Sequence, residues 1–205
     1  MKVAIVGGSL GGLTAGLALK RLSQKMPTVI SSVDIFEKVP SRLTDGGAGI
    51  VLQPEVTEAL ERYTSDGVDD GVQVLLERRQ FVEKDGNYQT IRMPQPMTSW
   101  EAVWKRLRNS FPDENYHSGV KVTAVTEQSD GRIRLIHEGT NRVYNKDTGE
   151  VPEDCWYDMV IAADGAGSQI RSQFLPDLEP SYAGYVAYRG TLAVMDASAG
   201  IVDFF

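Results

Sequence analysis

The opening nineteen residues most restrict what this chain can fold into. Val3-Ala4-Ile5-Val6 is a short apolar run, three of its residues β-branched, the pattern of a strand buried on both faces. Gly7-Gly8-Ser9-Leu10-Gly11-Gly12 follows at once. Leu13, Leu17 and Leu19, with small residues between them, then predict a helix lying close on a sheet. Strand, glycine turn and helix form a dinucleotide-binding loop, in which unpaired helix N–H groups and the positive end of the helix dipole meet a pyrophosphate. Gly7 permits the tight turn, a small residue at position 9 lets the backbone approach phosphate, and Gly12 lets the helix lie against the strand. The fingerprint is Gly-x-Ser-x-x-Gly: Ser9 stands where a glycine is usual, and its hydroxyl is itself a phosphate donor. Val33-Asp34-Ile35-Phe36-Glu37 predicts a second strand ending in a carboxylate. Glu37 stands 25 positions after Gly12, near the roughly 20 at which an acidic residue meets ribose hydroxyls. The competing reading is a glycine-rich turn that holds no ligand.

The 205 residues suffice for one domain, or for one large domain with part of a second. A net charge of −7 argues against a nucleic-acid partner and against an anionic membrane surface. Cys155 is the single cysteine, which excludes an internal disulfide and a cysteine-rich metal site and suggests a reducing, cytoplasmic setting. The apolar N-terminus reads as a nucleotide loop rather than a signal peptide or membrane anchor. His117 and His137 are the only histidines; neither has the spacing of a metal ligand or of a hydrolase base, His137 reads as structural or exposed, and a substrate role is the lesser alternative for His117.

Along the chain, the first helix is expected over about 11–25, stopped by Pro27. Gly46-Gly47-Ala48-Gly49-Ile50-Val51-Leu52 predicts a close approach and a short strand, and Pro54 opens a helix to about Tyr63. Residues 72–76, 79–83 and 88–92 alternate as strands do, with a turn at 84–87, and suggest an inserted antiparallel sheet. Thr98 or Ser99 caps a helix through Asn109 whose apolar stripe is Trp100, Val103, Trp104 and Leu107; the tryptophans read as core. Val120–Glu127 and Arg132–Glu138 flank a hairpin turn at Ser129-Asp130-Gly131. Trp156–Ala163 predicts another buried strand, and Tyr182–Leu192 a last one.

That penultimate strand ends in Asp164-Gly165-Ala166-Gly167-Ser168-Gln169-Ile170-Arg171. A carboxylate at the carboxyl end of a strand sits where open α/β sheets bind ligands. With the N-terminal fingerprint, Glu37-Lys38, the Gly47–Ile50 segment and this Asp-Gly-x-x-Ser-x-x-Arg motif, the sequence resembles the FAD-dependent aromatic hydroxylases, the group that includes p-hydroxybenzoate hydroxylase. The resemblance covers essentially the whole chain. Gly47–Glu55, Thr98-Ser99-Trp100 and Tyr182–Gly190 look most like its 2,6-dihydroxypyridine 3-hydroxylase branch.

The resemblance implies an α/β fold: a Rossmann-like (GR2-type) FAD-binding domain with a parallel sheet, over 1–70 and 96–175, and an incomplete antiparallel-sheet substrate domain, over 71–95 and 176–205. It implies FAD as cofactor, NADH or NADPH as co-substrate, and O₂ as the source of the oxygen placed on a small aromatic or heteroaromatic substrate. Gly7, Gly8, Ser9, Gly11 and Gly12 would face the pyrophosphate, and Glu37 and Lys38 the adenosine ribose. Val122 would offer backbone to adenine, and Asp164 and Gly165 would line the ribityl chain. Gly49 and Arg106 complete the cofactor set, and Arg189 is a candidate for the substrate or the flavin. Gly46 and Gly47 stand where relatives often carry an arginine, with Arg42 a nearby substitute, and Trp100 stands where another arginine is common. Family members run on for roughly 150 residues more, so the chain reads as the N-terminal part of such a protein. No nucleic-acid or membrane partner is expected, and a homodimer is allowed. The rival functions are an NAD(P)-binding dehydrogenase or reductase and a truncated, non-catalytic nucleotide-binding fragment.

Overall fold

A computed structural model describes residues 1–40, 49–69, 71–138 and 156–186. In chain order the elements are β1 (Lys2–Val6), α1 (Leu10–Lys25), β2 (Ser32–Glu37), β3 (Gly49–Val51), α2 (Pro54–Tyr63), β4 (Val74–Val82), β5 (Tyr88–Ser99), α3 (Trp100–Ser110), β6 (Tyr116–Ser118), β7 (Lys121–Glu127), β8 (Ile133–Glu138), β9 (Trp156–Tyr157), β10 (Met159–Ala162) and α4 (Gln169–Phe174). Among the described residues the strands form three sheets. One is parallel, in the order β10-β1-β2-β6; the others, β3-β5-β4 and β7-β8-β9, are antiparallel.

β1 crosses the middle of the parallel sheet, and Val3, Ala4, Ile5 and Val6 are all buried there. Ile5, Val33 and Ile35 turn one way, into a core shared with Leu13 and Leu17 of α1 and Val103, Trp104 and Leu107 of α3. Ala4, Val6 and Phe36 turn the other way, onto Val120, Val122, Val125, Leu135 and Tyr157. The parallel sheet is therefore covered on both faces, as its unbroken apolar strands require. A methyl on Gly12 would lie 1.8 Å from the Gly7 carbonyl oxygen, so only glycine lets α1 rest this close to β1.

Several expectations need correction. Trp156–Ala163 is not one buried strand. It breaks at Asp158, where the chain leaves β8 and joins β1; the Asp158 carboxylate accepts from the Lys2 N–H at 2.7 Å, and the Asp158 N–H donates to the Lys2 carbonyl. β10 is an edge strand and is correspondingly less buried, with Met159 exposed. Runs 72–76 and 79–83 merge into one strand, β4, and the second partner extends to Ser99 as β5. Tyr182–Val186 is irregular and exposed, with no strand pairing; 187–192 and Arg189 lie outside the described residues, as do Cys155, Arg42, Gly46 and Gly47. β6 was not foreseen. The α2 bounds and the 84–87 turn agree with expectation, and the Ser99 hydroxyl caps α3 by accepting from the Ala102 N–H at 3.0 Å.

β2 carries a buried carboxylate. Asp34 accepts from Asn115 Nδ2 at 2.8 Å and lies 3.5 Å from His117 Nε2; the Tyr157 hydroxyl donates to it at 3.4 Å. Burial raises the Asp34 pKa, but the hydrogen bonds from His117 and Asn115, with the positive field of His117 and Lys2, outweigh it and hold the carboxyl below its usual value. A depressed carboxyl contributes stability above its unfolded pKa of about 3.9 and loses it as pH falls through the folded value. Asp34→Asn is thus expected to lower stability at pH 7 by about 2 kcal/mol. In urea titrations the gap to the parent chain should narrow below about pH 4.

Among the described residues no helix is long and apolar enough to cross a membrane, and no group of three His, Cys, Asp or Glu gathers as metal ligands.

Candidate functional site: the carboxyl ends of β1, β2 and β10

In the parallel register Val6 lies beside both Phe36 and Ala162, so three strands end side by side. The ladder continues one step further: the Gly7 N–H donates to the Phe36 carbonyl at 2.8 Å, and the Ala163 N–H to the Val6 carbonyl at 2.7 Å. Gly7, Glu37 and Asp164 therefore leave the sheet at one edge. Gly7 has φ +107°, and a Cβ there would meet the Ala163 carbonyl oxygen at 2.3 Å; both facts demand glycine.

α1 starts at Leu10, with Ser9 as its cap in extended conformation. The Ser9 carbonyl accepts the first helical bond, from the Leu13 N–H, while its hydroxyl makes no capping bond. The helix leaves its first N–H groups without intrahelical partners, and no acidic residue lies in its first turn to compete for its positive end. Gly11 is exposed, and a Cβ there would meet nothing within 4 Å.

Glu37 is buried at the end of β2. Its carboxylate accepts from the Gly8 N–H at 2.7 Å and the Val39 N–H at 2.9 Å. Four lone-pair positions exist on a carboxylate, and these bonds use two of them. Lys38 beside it is exposed. The Val120 N–H donates to the Glu37 carbonyl at 2.9 Å, which carries β7, with buried Val122, up against this corner.

The Asp164 motif braces itself. Gly165 turns with φ +85° and faces open space. Asp164 Oδ2 accepts from the Gln169 N–H at 3.1 Å, and the buried Ser168 hydroxyl caps α4 by accepting from the Arg171 N–H at 2.9 Å. The Arg171 guanidinium reaches back to the carbonyls of Gly165 and Ala166. Asp164 Oδ1 is buried and has no hydrogen-bond partner among the described residues.

Three of the expected residues are engaged by other parts of the chain. Gly8 is buried, and a Cβ there would strike the Tyr116 hydroxyl at 2.2 Å and Glu37 Cβ at 2.8 Å, so its small size serves that packing. Gly49 opens β3 beside Ser99, in an antiparallel sheet rather than at the parallel edge. Arg106 is engaged by Asp69, with the Gly67 carbonyl 3.5 Å away. Trp104 and Tyr116, which no sequence motif marked, both reach the loop: each donates to the Gly8 carbonyl at 3.0 Å. A tryptophan on a buried stripe carries an N–H that needs an acceptor, and that was the available signal.

A parallel sheet with a glycine loop, an acidic second strand end and a third strand ending in a carboxylate is the arrangement of a dinucleotide-binding α/β fold. The chain is 30% identical over 207 residues to 2,6-dihydroxypyridine 3-monooxygenase of Paenarthrobacter nicotinovorans, covering 100% of this chain and 46% of that protein. It is 26% identical to 6-hydroxynicotinate 3-monooxygenase of Pseudomonas fluorescens, covering 99% of this chain and 50% of that one. The structure of 2,6-dihydroxypyridine-3-hydroxylase from Arthrobacter nicotinovorans superposes with a TM-score of 0.78 at 28% identity, over 100% of this chain and 47% of its own. No family model matches. The chain's homologues are thus FAD-dependent aromatic hydroxylases. It spans about half the length of the curated relatives it matches.

Proposed function

We propose that this chain is the cofactor-holding part of an FAD-dependent monooxygenase that uses NADH or NADPH and O₂ to hydroxylate a phenol- or hydroxypyridine-like ring. The observation that carries the reading is the meeting of the α1 N-terminus, Glu37 and Asp164 at one sheet edge, in a chain similar over its whole length to such hydroxylases.

The residues present suit FAD. The first turn of α1, with Ser9, would receive the pyrophosphate, since it offers N–H donors and no competing carboxylate. Glu37 would accept from the adenosine ribose, with Lys38 beside it and Val122 toward adenine. The orphaned Asp164 Oδ1 is an acceptor for a hydroxyl-bearing chain, which is what the ribityl segment is, and Gly165 leaves room for it. Because Asp69 already engages Arg106, the pyrophosphate charge would rest chiefly on the helix. When bound, the flavin supplies the redox and oxygen-transfer chemistry; the protein supplies position and water exclusion. Arg189 stays a proposed contact for an anionic ring substituent or for the flavin.

Titration of the purified chain with FAD, followed by flavin fluorescence and absorbance, is expected to show saturable one-to-one binding. NADH oxidation stimulated by 2,6-dihydroxypyridine, 6-hydroxynicotinate or salicylate, with a hydroxylated product, would establish turnover. A colourless protein that binds NADH but not FAD would replace this reading with a dehydrogenase.

A further inference from the structure

We propose that Trp104 and Tyr116 are positioning residues for the dinucleotide loop, acting through the Gly8 carbonyl to aim the Ser9 N–H at the ligand. The inference rests on the reading that this loop holds FAD.

The Gly8 carbonyl oxygen accepts from Trp104 Nε1 and from the Tyr116 hydroxyl, each at 3.0 Å. A carbonyl has two lone pairs, so both are used. The two donors come from different elements, α3 and β6, 96 and 108 positions along the chain. The peptide before it is also fixed, because the Gly8 N–H donates to Glu37 at 2.7 Å. Described peptide bonds are all trans. In a trans peptide the C=O and the following N–H point in opposite directions. Drawing the Gly8 oxygen inward, toward buried Trp104, therefore turns the Ser9 N–H outward, beside the free first-turn N–H groups of α1.

The donors are themselves held. The Arg108 guanidinium lies 4.1 Å from the Tyr116 ring centroid and is anchored by Asp113 at 2.6 Å. Trp104 stacks on Trp100, with ring centroids 6.1 Å apart and planes at 11°. Burial and the nearby Glu37 carboxylate push the Tyr116 phenol up, so it stays a donor across the working pH range. Fixed donors of this kind reduce the ordering cost of binding an anion at the loop.

Trp104→Phe and Tyr116→Phe each remove one donor and keep a ring. FAD titrations of the full chain, run well below the unfolding midpoints, are expected to give a Kd raised about 5- to 10-fold for each. The double variant should show a non-additive effect, since both donors act on one oxygen. Trp156→Phe, in β9, should stay within about two-fold of the parent. Midpoints without FAD are measured alongside: a purely structural role would lower the midpoint and leave Kd unchanged, which would overturn the inference. Should Trp104→Phe fail to fold, Tyr116→Phe, which deletes one oxygen atom, carries the test with the same two outcomes. A parent chain that binds no FAD would overturn the dinucleotide reading and this inference with it. A parent that binds normally beside variants of equal affinity would overturn this inference alone.

Discussion

Gly12→Ala is expected to be among the most damaging single-methyl changes in the chain. The new Cβ would lie 1.8 Å from the Gly7 carbonyl oxygen and within 3.3 Å of Ile5 Cγ2. The first obstacle is backbone, which cannot swing aside as a side-chain tip can, so α1 must lift from β1. Overpacking of this kind costs on the order of 3 kcal/mol. At this chain length that corresponds to a fall in thermal midpoint of about 6–12 °C. Gly11→Ala, one residue earlier, is the control. Its Cβ meets nothing, and alanine is the better helix former, so stability should rise by about 0.5–1 kcal/mol. Differential scanning calorimetry of the two variants measures the contrast. Equal midpoints would mean that α1 does not rest on the loop as described.

Glu37→Ala is expected to produce the largest loss of cofactor. The substitution leaves the Gly8 and Val39 N–H groups without their acceptor in a buried corner. Each orphaned donor costs about 1–3 kcal/mol. The loop would loosen and the ribose would lose its carboxylate together, so the Kd for FAD should rise at least about 100-fold. Glu37→Gln keeps one oxygen acceptor and should lose less, about 10-fold. Equilibrium titration of both against FAD checks the order. An alanine variant that binds as well as the glutamine variant would remove Glu37 from the ribose.

The edge where β1, β2 and β10 end was largely legible because its constraints are local. Gly7 and Gly12 announce a turn and a close approach through their lack of a side chain, and the run Val33–Glu37 announces a strand with a terminal carboxylate. α2 was equally plain, since Pro54 marks its start. What escaped was held by distant partners. β6 is three residues long and exists because Ile35, Phe36 and Glu37 offer it a free edge. Only the folded chain brings Asn115, His117 and Tyr157 to Asp34. The break at Asp158 likewise depends on Lys2, at the other end of the chain. The tight packing of Gly8 against the Tyr116 hydroxyl likewise joins residues 108 positions apart.

The side-chain amide of Gln173, in α4, donates to the Val125 carbonyl at 2.6 Å and accepts from the Val125 N–H at 3.0 Å. Val125 lies in β7, among the described residues the outer strand of its sheet. The amide imitates one residue of a neighbouring strand and occupies the rung that a second molecule would use to add on. α4 thus covers this edge at Val125, and the same short helix closes the Asp164 turn.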